Sequence, residues 1–417
     1  MSSTPVKLGP NFCAERLGVA RLTRMAFAGV DLKPLWHEMM EKVTDDAAGA
    51  GLGLDLSILA QLLGDKATGL AIQAEVLGYQ QLFRSPAESN APRLRLLALA
   101  AATDIGGNTP IEFLLSGSDI ELTTLYVVPG KPLPDPIPDH DIAMVVVCDA
   151  KDTRATLEEI EKLTANWPRP VINRPRRLAL LDRDKLYPLL RGLPGLCIPM
   201  TARVSRACLD DLEGDAIALR EILEDGAWPL IIRPVDSHAG VGLAKLEDEH
   251  ALGLYLEERP EDEFFLSRYV DYASDDGQFR KYRIVIVGDK TFAVHMAISD
   301  QWKIWYLNAD MTESPRKRDE EAMFMQYYDA GFAARHARAL SEITSRLGLD
   351  YVTIDCAETR DGELLVFEAD SAAIVHDMDP PKIFPYKAPQ MRKIFDAFTA
   401  MLHARAIAAR PAAHAAA

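Results

Sequence analysis

The sequence predicts an α/β (α+β) protein: an N-terminal helical segment (1–91), a small α/β domain (92–172), a larger strand-rich domain (173–403) and an Ala-rich tail (404–417). Three observations predict this. Apolar residues recur at helical spacing through 14–83. From Pro92 onward, short apolar β-like runs alternate with helical ones. After about residue 228, long runs read as antiparallel hairpins, and the last of them carries three acids.

Composition narrows the function classes. The chain of 417 residues is long enough for two or three cores. Its net charge of −16 argues against nucleic acid or an anionic membrane surface as a general partner. The five cysteines, Cys13, Cys148, Cys197, Cys208 and Cys356, have no CxxC spacing, so neither a disulfide framework nor a zinc site is expected. They suit reduced thiols in the cytoplasm. No signal pattern and no run near the ~18 apolar residues of a membrane span is present.

In the helical segment, Leu17, Leu22, Met25, Leu35, Trp36, Met39, Leu56, Leu59 and Leu63 mark apolar faces, and glycine-rich breaks at 47–53 and Gly64-Asp65 separate the pieces. It reads as a packing or dimerisation layer, with a substrate- or partner-recognition module as the other reading. The α/β domain is expected to place strands at 94–100, 122–128, 142–148 and 170–172 and a helix at 153–166. A proline-rich stretch, 129–141, excludes regular structure there. The loop Asp104-Ile-Gly-Gly-Asn-Thr-Pro110 follows the first strand, where α/β folds place ligands, although a plain connection also explains it. In the third region a short helix begins near Asp182 or Asp184, and an amphipathic helix is expected over 210–224.

The residues that suggest chemistry follow. An apolar strand delivers Arg233 into the small-residue loop Ser237-His238-Ala239-Gly240-Val241-Gly242. Glycines there let backbone N–H groups approach phosphate oxygens beside a fixed cation. A lone GxG is weak, and without GK[ST] or a strand-to-helix context neither a P-loop nor a dinucleotide fingerprint is supported. Taken alone, it reads as an ordinary hairpin. The strand from Glu263 ends in Ser267-Arg268-Tyr269-Val270-Asp271, an edge able to meet a flat heterocycle. In the hairpin 278–295, a Gly288-Asp289 turn puts Tyr282 opposite His295, so Lys281 and Arg283 share one face and His295 takes the other. The basic pair reads either as a solvated face or as an anion site with Arg283 as its fixed cation.

The final hairpin, 351–370, centres on Asp361-Gly362, a pair suited to a tight two-residue turn. Counting outward pairs Arg360 with Glu363 and sets Asp355 opposite Glu368, with Asp370, Thr353, Leu364 and Val366 on the same face. Ile354, Leu365 and Phe367 mark the other face as core. Opposed like charges destabilise a sheet, so three acids on one mixed face call for a cation, and hard oxygen ligands suit Mg²⁺.

In this order the pieces resemble the ATP-grasp superfamily of carboxylate–amine ligases, which includes glutathione synthetase, D-alanine:D-alanine ligase and the ribosomal-protein glutamate ligases. The resemblance covers about 173–403. It implies that Asp355, Glu368 and Asp370 hold Mg²⁺ (a pair of ions, with Mn²⁺ as an alternative) against ATP. Asp370 stands where the family usually has Asn. Lys185 and Arg233 would contact phosphates, Arg233 in place of a usual lysine. Residues 237–242, with Ser237, His238, Ala239, Gly240 and Gly242, would cover them. Ser267, Arg268, Tyr269 and Val270 would form the adenine hinge, Asp271 would reach the ribose, and Arg283 with Lys281 would act on the transferred phosphate. Arg280, Trp302, Lys303, Trp305 and the 371–379 segment with His376 are candidate pocket walls. The implied reaction joins a small-molecule or peptide carboxylate to an amine through an acyl phosphate, with ADP released. A non-catalytic ATP-binding scaffold and a phosphotransferase stopping at a phosphorylated product are the other readings, and a homodimer is compatible with the sequence.

Overall fold

The computed structural model describes residues 12–408 except 88, 90, 215, 238 and 239. It divides into two compact units. The first joins the described residues up to Leu178 with Leu349–Tyr351 and those from Ser371 onward, and the second joins Ala179–Gly348 with Val352–Asp370. Among the described residues no helix is long and apolar enough to cross a membrane.

The first unit is built on six strands: β1 (Ala14–Glu15), β2 (Leu82–Arg84), β3 (Leu94–Ala101), β4 (Ile120–Val127), β5 (Ile142–Val145) and β6 (Val171–Ile172). They stand in the order β1-β2-β4-β3-β5-β6. Pairing is parallel from β4 through β6, and β2 runs antiparallel to β4. Strands covered on both faces need near-continuous apolar sequence, and β3 and β5 have it. The expected strands of this unit are present with shifted ends, and the helix expected at 153–166 spans Arg154–Thr164.

The N-terminal residues depart from the all-helical reading. Four helices, Val19–Phe27, Lys33–Lys42, Ala50–Leu62 and Lys66–Tyr79, are flanked by β1 and β2, which complete the sheet of the α/β region. Residues 14–84 therefore share one sheet with 94–172. Strands of two and three residues are too short to display a period of two, so the sequence hides them. At the other end, the helix Lys387–Ala408 continues past the expected start of the tail at 404, with Ala406 still buried. Its buried Met391, Ile394, Phe395, Phe398 and Leu402 follow helical spacing. The remainder of the tail, 409–417, lies outside the described residues.

The second unit contains two sheets. The first comprises β8 (Thr201–Ser205), β9 (Leu230–Pro234), β10 (Ala244–Leu246) and β11 (Glu263–Arg268), which follow β7 (Leu196–Cys197) in the chain. The order is β10-β9-β11-β8, antiparallel throughout. Leu230, Ile232, Phe264 and Leu266 alternate into a core with Val204, Leu209, Leu212 and Leu252. The other face therefore carries Arg203, Phe265 and Arg233, which the register places in line, with Ser267 one step along the same face. Where one helix was expected over 210–224, Arg206–Glu213 ends at Gly214 and a short helix, Leu219–Ile222, follows.

The second sheet comprises β12 (Phe279–Val287), β13 (Lys290–Ser299), β14 (Tyr351–Glu358) and β15 (Leu364–Asp370), with β7 along its edge, in the order β13-β12-β14-β15-β7. Two β-bulges correct the expected registers. On the β12–β13 hairpin, Val287 pairs with Lys290 as counted, but the register slips between Arg283 and Ile284. His295 therefore pairs with Arg283, and the histidine and the basic pair share a face instead of opposing one another. On β14–β15, Thr359 donates to the carbonyl of Glu363 and Gly362 donates back to that of Thr359, so the connection is longer than the expected two-residue turn. A compensating slip after Asp355 restores Asp355 opposite Glu368 and Thr353 opposite Asp370. Between the turn and the bulge the faces are exchanged. Leu365 pairs with Ala357 on the acid face, while Leu364 and Val366 fall on the other.

Candidate active site

The site grows from β14. Asp355 is buried, with its side chain 2% exposed, and receives a two-pronged hydrogen bond from Arg283 on β12: Nε to Oδ1 at 2.6 Å and Nη2 to Oδ2 at 3.0 Å. Lys281 places Nζ 2.7 Å from Oδ2. Two residues apart on one strand, both cations point to the same face, as the sequence reading required. Burial pushes the Asp355 carboxyl up, but Arg283 and Lys281 outweigh it and hold the group well below the usual carboxylate range.

Glu368 on β15 is held by a different pair. Arg183, at the first turn of the helix Arg183–Leu190, hydrogen-bonds its Oε2, and Arg233 on β9 lies 3.8 Å away. Burial raises the Glu368 carboxyl, while Arg183, followed by Lys281 and Arg233, brings it below its ordinary value. Asp370 is half-buried and contributes to the field at Arg283.

Arg233 identifies the character of the site. Burial and the neighbouring Arg183 lower its guanidinium to about 10, with Glu368 offsetting only part of the effect. Its own loop supplies further acceptors. Nε donates to Ser237 Oγ at 3.1 Å and Nη2 to the Ser237 carbonyl, while Ser237 Oγ donates to the Pro234 carbonyl at 2.7 Å. Burial and the Arg183 charge both disfavour the charged guanidinium at this position. Four cations, Lys281, Arg283, Arg183 and Arg233, meet three carboxylates, Asp355, Glu368 and Asp370, leaving one positive charge in excess.

The glycine loop has the backbone that its composition implied. Gly240 and Gly242 have φ of 72° and 67°, and a Cβ on Gly242 would fall 2.5 Å from Pro234 Cδ. Only glycine fits that position. His238 and Ala239 lie outside the described residues. At the expected hinge, Ser267 pairs with Thr201 and Ile231, and Tyr269 donates its N–H to the Pro229 carbonyl at 2.9 Å. Arg268 lies 3.6 Å from Asp225. No backbone hydrogen bond joins Val270 to another described residue. Asp271 is engaged by Arg360 at 3.0 Å and by the Ala273 N–H at 3.0 Å.

Other expected residues do not reach the acids. Lys185 is exposed and makes no ion pair among the described residues. Residues two apart on a helix point different ways, so Arg183 and Lys185 cannot both face the hairpin. A signal for Arg183 was present: it stands three residues before buried Leu186 and seven before buried Leu190, on the inward stripe. Lys245 on β10 was also missed. Its Nζ lies 4.4 Å from the Tyr269 ring centroid, and Trp302 packs edge-on to the same ring. Arg280 is tied to Asp276 and Glu320, and Lys303 to the Leu243 carbonyl. His376 belongs to the first unit, against Phe27 and Phe113.

As the side chains stand, no three His, Cys, Asp or Glu groups among the described residues converge to hold a metal ion. The acids are instead partnered by lysine and arginine. In kind, though, carboxylate oxygens on facing strands are the donors that Mg²⁺ or Mn²⁺ takes.

No family model matches the chain, and no curated protein does. Among solved structures it is similar to a RimK-domain ATP-grasp protein from Sphaerobacter thermophilus, with 16% identity, 74% of this chain and 99% of that one covered, and a TM-score of 0.42. It is similar to the VanG D-Ala:D-Ser ligase of Enterococcus faecalis, with 14% identity, 74% and 99% covered, and a TM-score of 0.44. D-alanine–D-alanine ligase of Bacillus anthracis in complex with ATP shares 13% identity over 75% of this chain and 98% of that one, with a TM-score of 0.45.

Proposed function

We propose that this chain is an ATP-dependent carboxylate–amine ligase whose nucleotide site is the cationic face around Arg233, Arg183 and Arg283. The observation that carries this reading is the convergence of Arg183, Arg233, Arg283 and Lys281 on Glu368 and Asp355, beside the Gly240–Gly242 turn whose positive φ angles suit glycine. Arg233 and Arg183 would bind phosphate oxygens, and Arg283 and Lys281 would offset charge as the terminal phosphoryl group moves. Asp355, Glu368 and Asp370 would hold Mg²⁺, which when bound neutralises the phosphates. Ser267–Val270 would meet the adenine beside Tyr269.

In the proposed sequence, a substrate carboxylate oxygen bonds to the γ-phosphorus of ATP as the bond to the bridging oxygen breaks, and ADP leaves. The amine nitrogen then bonds to the acyl carbon, phosphate departs, and the nitrogen releases its proton. Residues 240–242 would restrict water around the acyl phosphate. The test is ADP release across a matrix of acids and amines. Release that requires an acid, with hydroxamate formed when hydroxylamine replaces the amine, supports the reading. ADP release with a phosphorylated alcohol and no hydroxamate would make the chain a phosphotransferase instead.

A second reading, an ATP-binding scaffold, gains support from one feature. Because Lys281, Arg283, Arg183 and Arg233 already compensate the acids, the opposed carboxylates need no metal for stability. ATP binding without turnover on any acid would favour it.

A further inference from the structure

Arg183 stands between two acids in the run Asp182-Arg183-Asp184, at the start of the helix Arg183–Leu190. Asp182 occupies the N-cap position, where an aspartate usually accepts a hydrogen bond from an N–H of the first turn. Here its side chain makes no such bond. Arg203 engages it instead, donating Nη2 to Asp182 Oδ2 and placing Nε 3.4 Å from Asp184 Oδ2. One guanidinium therefore holds the residues on both sides of Arg183. The planar fork of arginine suits it to two acceptors at once.

Arg203 sits on β8, the edge strand of its sheet. The register sets it across from Phe265 on β11, whose other neighbour is Arg233 on β9. Arg203 and Arg233 are thus two strand spacings apart, about 9.5 Å. Arg233 lies beside Glu368, whereas the ion pairs of Arg203 among the described residues are with Asp182 and Asp184. The buried Phe265 ring carries two of the arginines: the guanidinium carbon of Arg203 stands 4.8 Å from its centroid and that of Arg183 5.9 Å. Two cations sharing one ring repel, so each needs acids of its own. Arg203 takes Asp182 and Asp184, which leaves the Arg183 guanidinium to Glu368.

We infer that Arg203 is a positioning residue of the proposed nucleotide site: it clamps the helix start through Asp182 and Asp184 and so holds Arg183 toward Glu368 and the phosphates. The inference rests on the nucleotide reading of the four cations given above. Arg203 is not a fifth phosphate ligand in this assignment, because its guanidinium is already taken up by two carboxylates. A residue that acts through another has a defined signature. Its removal matters only while the other is present.

The test is a double-mutant cycle on the full chain, read by calorimetric titration with Mg-ATP. Arg203→Met should weaken binding by about threefold to tenfold when Arg183 is present, and by less than about twofold in the Arg183→Ala background. A direct contact of Arg203 with phosphate, or a contribution of its charge to the general field, would lower affinity by the same factor in both backgrounds and overturn the inference. No loss in either background would do the same. A second readout needs no nucleotide: hydrogen exchange of the β15 amides should quicken in Arg203→Met, and the double variant should exchange no faster than Arg183→Ala alone. Unchanged exchange in Arg203→Met, or additive acceleration in the double variant, would count against positioning and overturn it. If the parent chain has no affinity for Mg-ATP, the nucleotide reading falls, and the exchange cycle alone decides whether Arg203 positions Arg183. Should Arg203→Met not fold, Arg203→Lys serves in the same cycles, because an ammonium keeps the charge but cannot hold both acids in one planar fork.

Discussion

Asp355 and Glu368 face each other across the β14–β15 hairpin, yet each is neutralised from a different direction. Lys281 and Arg283 reach Asp355 from β12, whereas Arg183 and Arg233 reach Glu368 from a helix start and from β9. The repulsion that the hairpin alone would suffer is thereby converted into a reason for two sheets of the second unit to meet at this point. A ligand that competes for those four cations would release the acids, so phosphate binding and metal binding are coupled in the proposed site.

The Arg283–Asp355 pair provides the first prediction. Arg283→Met leaves Asp355 buried with Lys281 as its remaining partner, and breaking a buried pair from one side costs about 3–5 kcal/mol. Faster hydrogen exchange throughout β12 and β14 is expected. Arg283→Met with Asp355→Leu should recover most of the protection, because the uncompensated charge is then gone. If the single variant exchanges like the parent, Arg283 carries no structural load.

Two carboxyl groups with opposite shifts give the second prediction. Asp355 is depressed, so its contribution is present above the unfolded carboxyl value and is lost as pH falls through its lower folded value. Asp55 is raised by burial to about 6. Its contribution is full below the unfolded value near 4 and is lost as pH rises through about 6. The first unit should therefore lose on the order of 3 kcal/mol between roughly pH 4 and 7 through Asp55. Asp55→Asn should flatten that slope when exchange in Ala50–Leu62 is followed against pH. An unchanged slope would assign the loss to other groups.

The two hairpins explain what the sequence could and could not reveal. Apolar alternation and turn residues located both, and Asp355 was correctly set opposite Glu368. That agreement came from two cancelling departures, a longer turn and a bulge after Asp355. On β12–β13 only the bulge is present, so the count failed and His295 changed faces. A bulge is fixed by tertiary packing and leaves no mark on a period-two pattern, so register away from the turn is not legible. The acids and Arg233 could be found from local sequence. Arg183 could not be tied to Glu368 in the same way, because 185 residues separate them.

Gly242 provides a direct test of the glycine loop. Gly242→Ala must place a Cβ 2.5 Å from Pro234 Cδ at φ of 67°, a backbone cost of about 1–3 kcal/mol at a turn packed on the residue that follows Arg233. Gly240→Ala meets only the flexible Lys303 Cε at 3.3 Å, although its φ is also positive. Nucleotide affinity, measured by titration calorimetry with Mg-ATP, should fall at least tenfold in Gly242→Ala and by a smaller factor in Gly240→Ala. Equal losses would mean that backbone strain, rather than the contact with Pro234, governs the loop.

Arg183 and Lys185 separate the structure from the resemblance most sharply. The family pattern assigns a phosphate contact to Lys185, but the helix turns that residue to solvent and brings Arg183 onto Glu368. Arg183→Ala removes the largest compensating charge on Glu368 and one of the four cations proposed to meet phosphate, so Mg-ATP affinity should drop by about tenfold to a hundredfold. Lys185→Ala should change it by less than about twofold, the range of exposed charges. The same pair of variants without nucleotide adds a control: only Arg183→Ala should accelerate hydrogen exchange in β15, because only Arg183 is bonded to that strand. A large affinity loss in Lys185→Ala would show that the helix start rearranges on nucleotide binding and that the family assignment holds in the bound state.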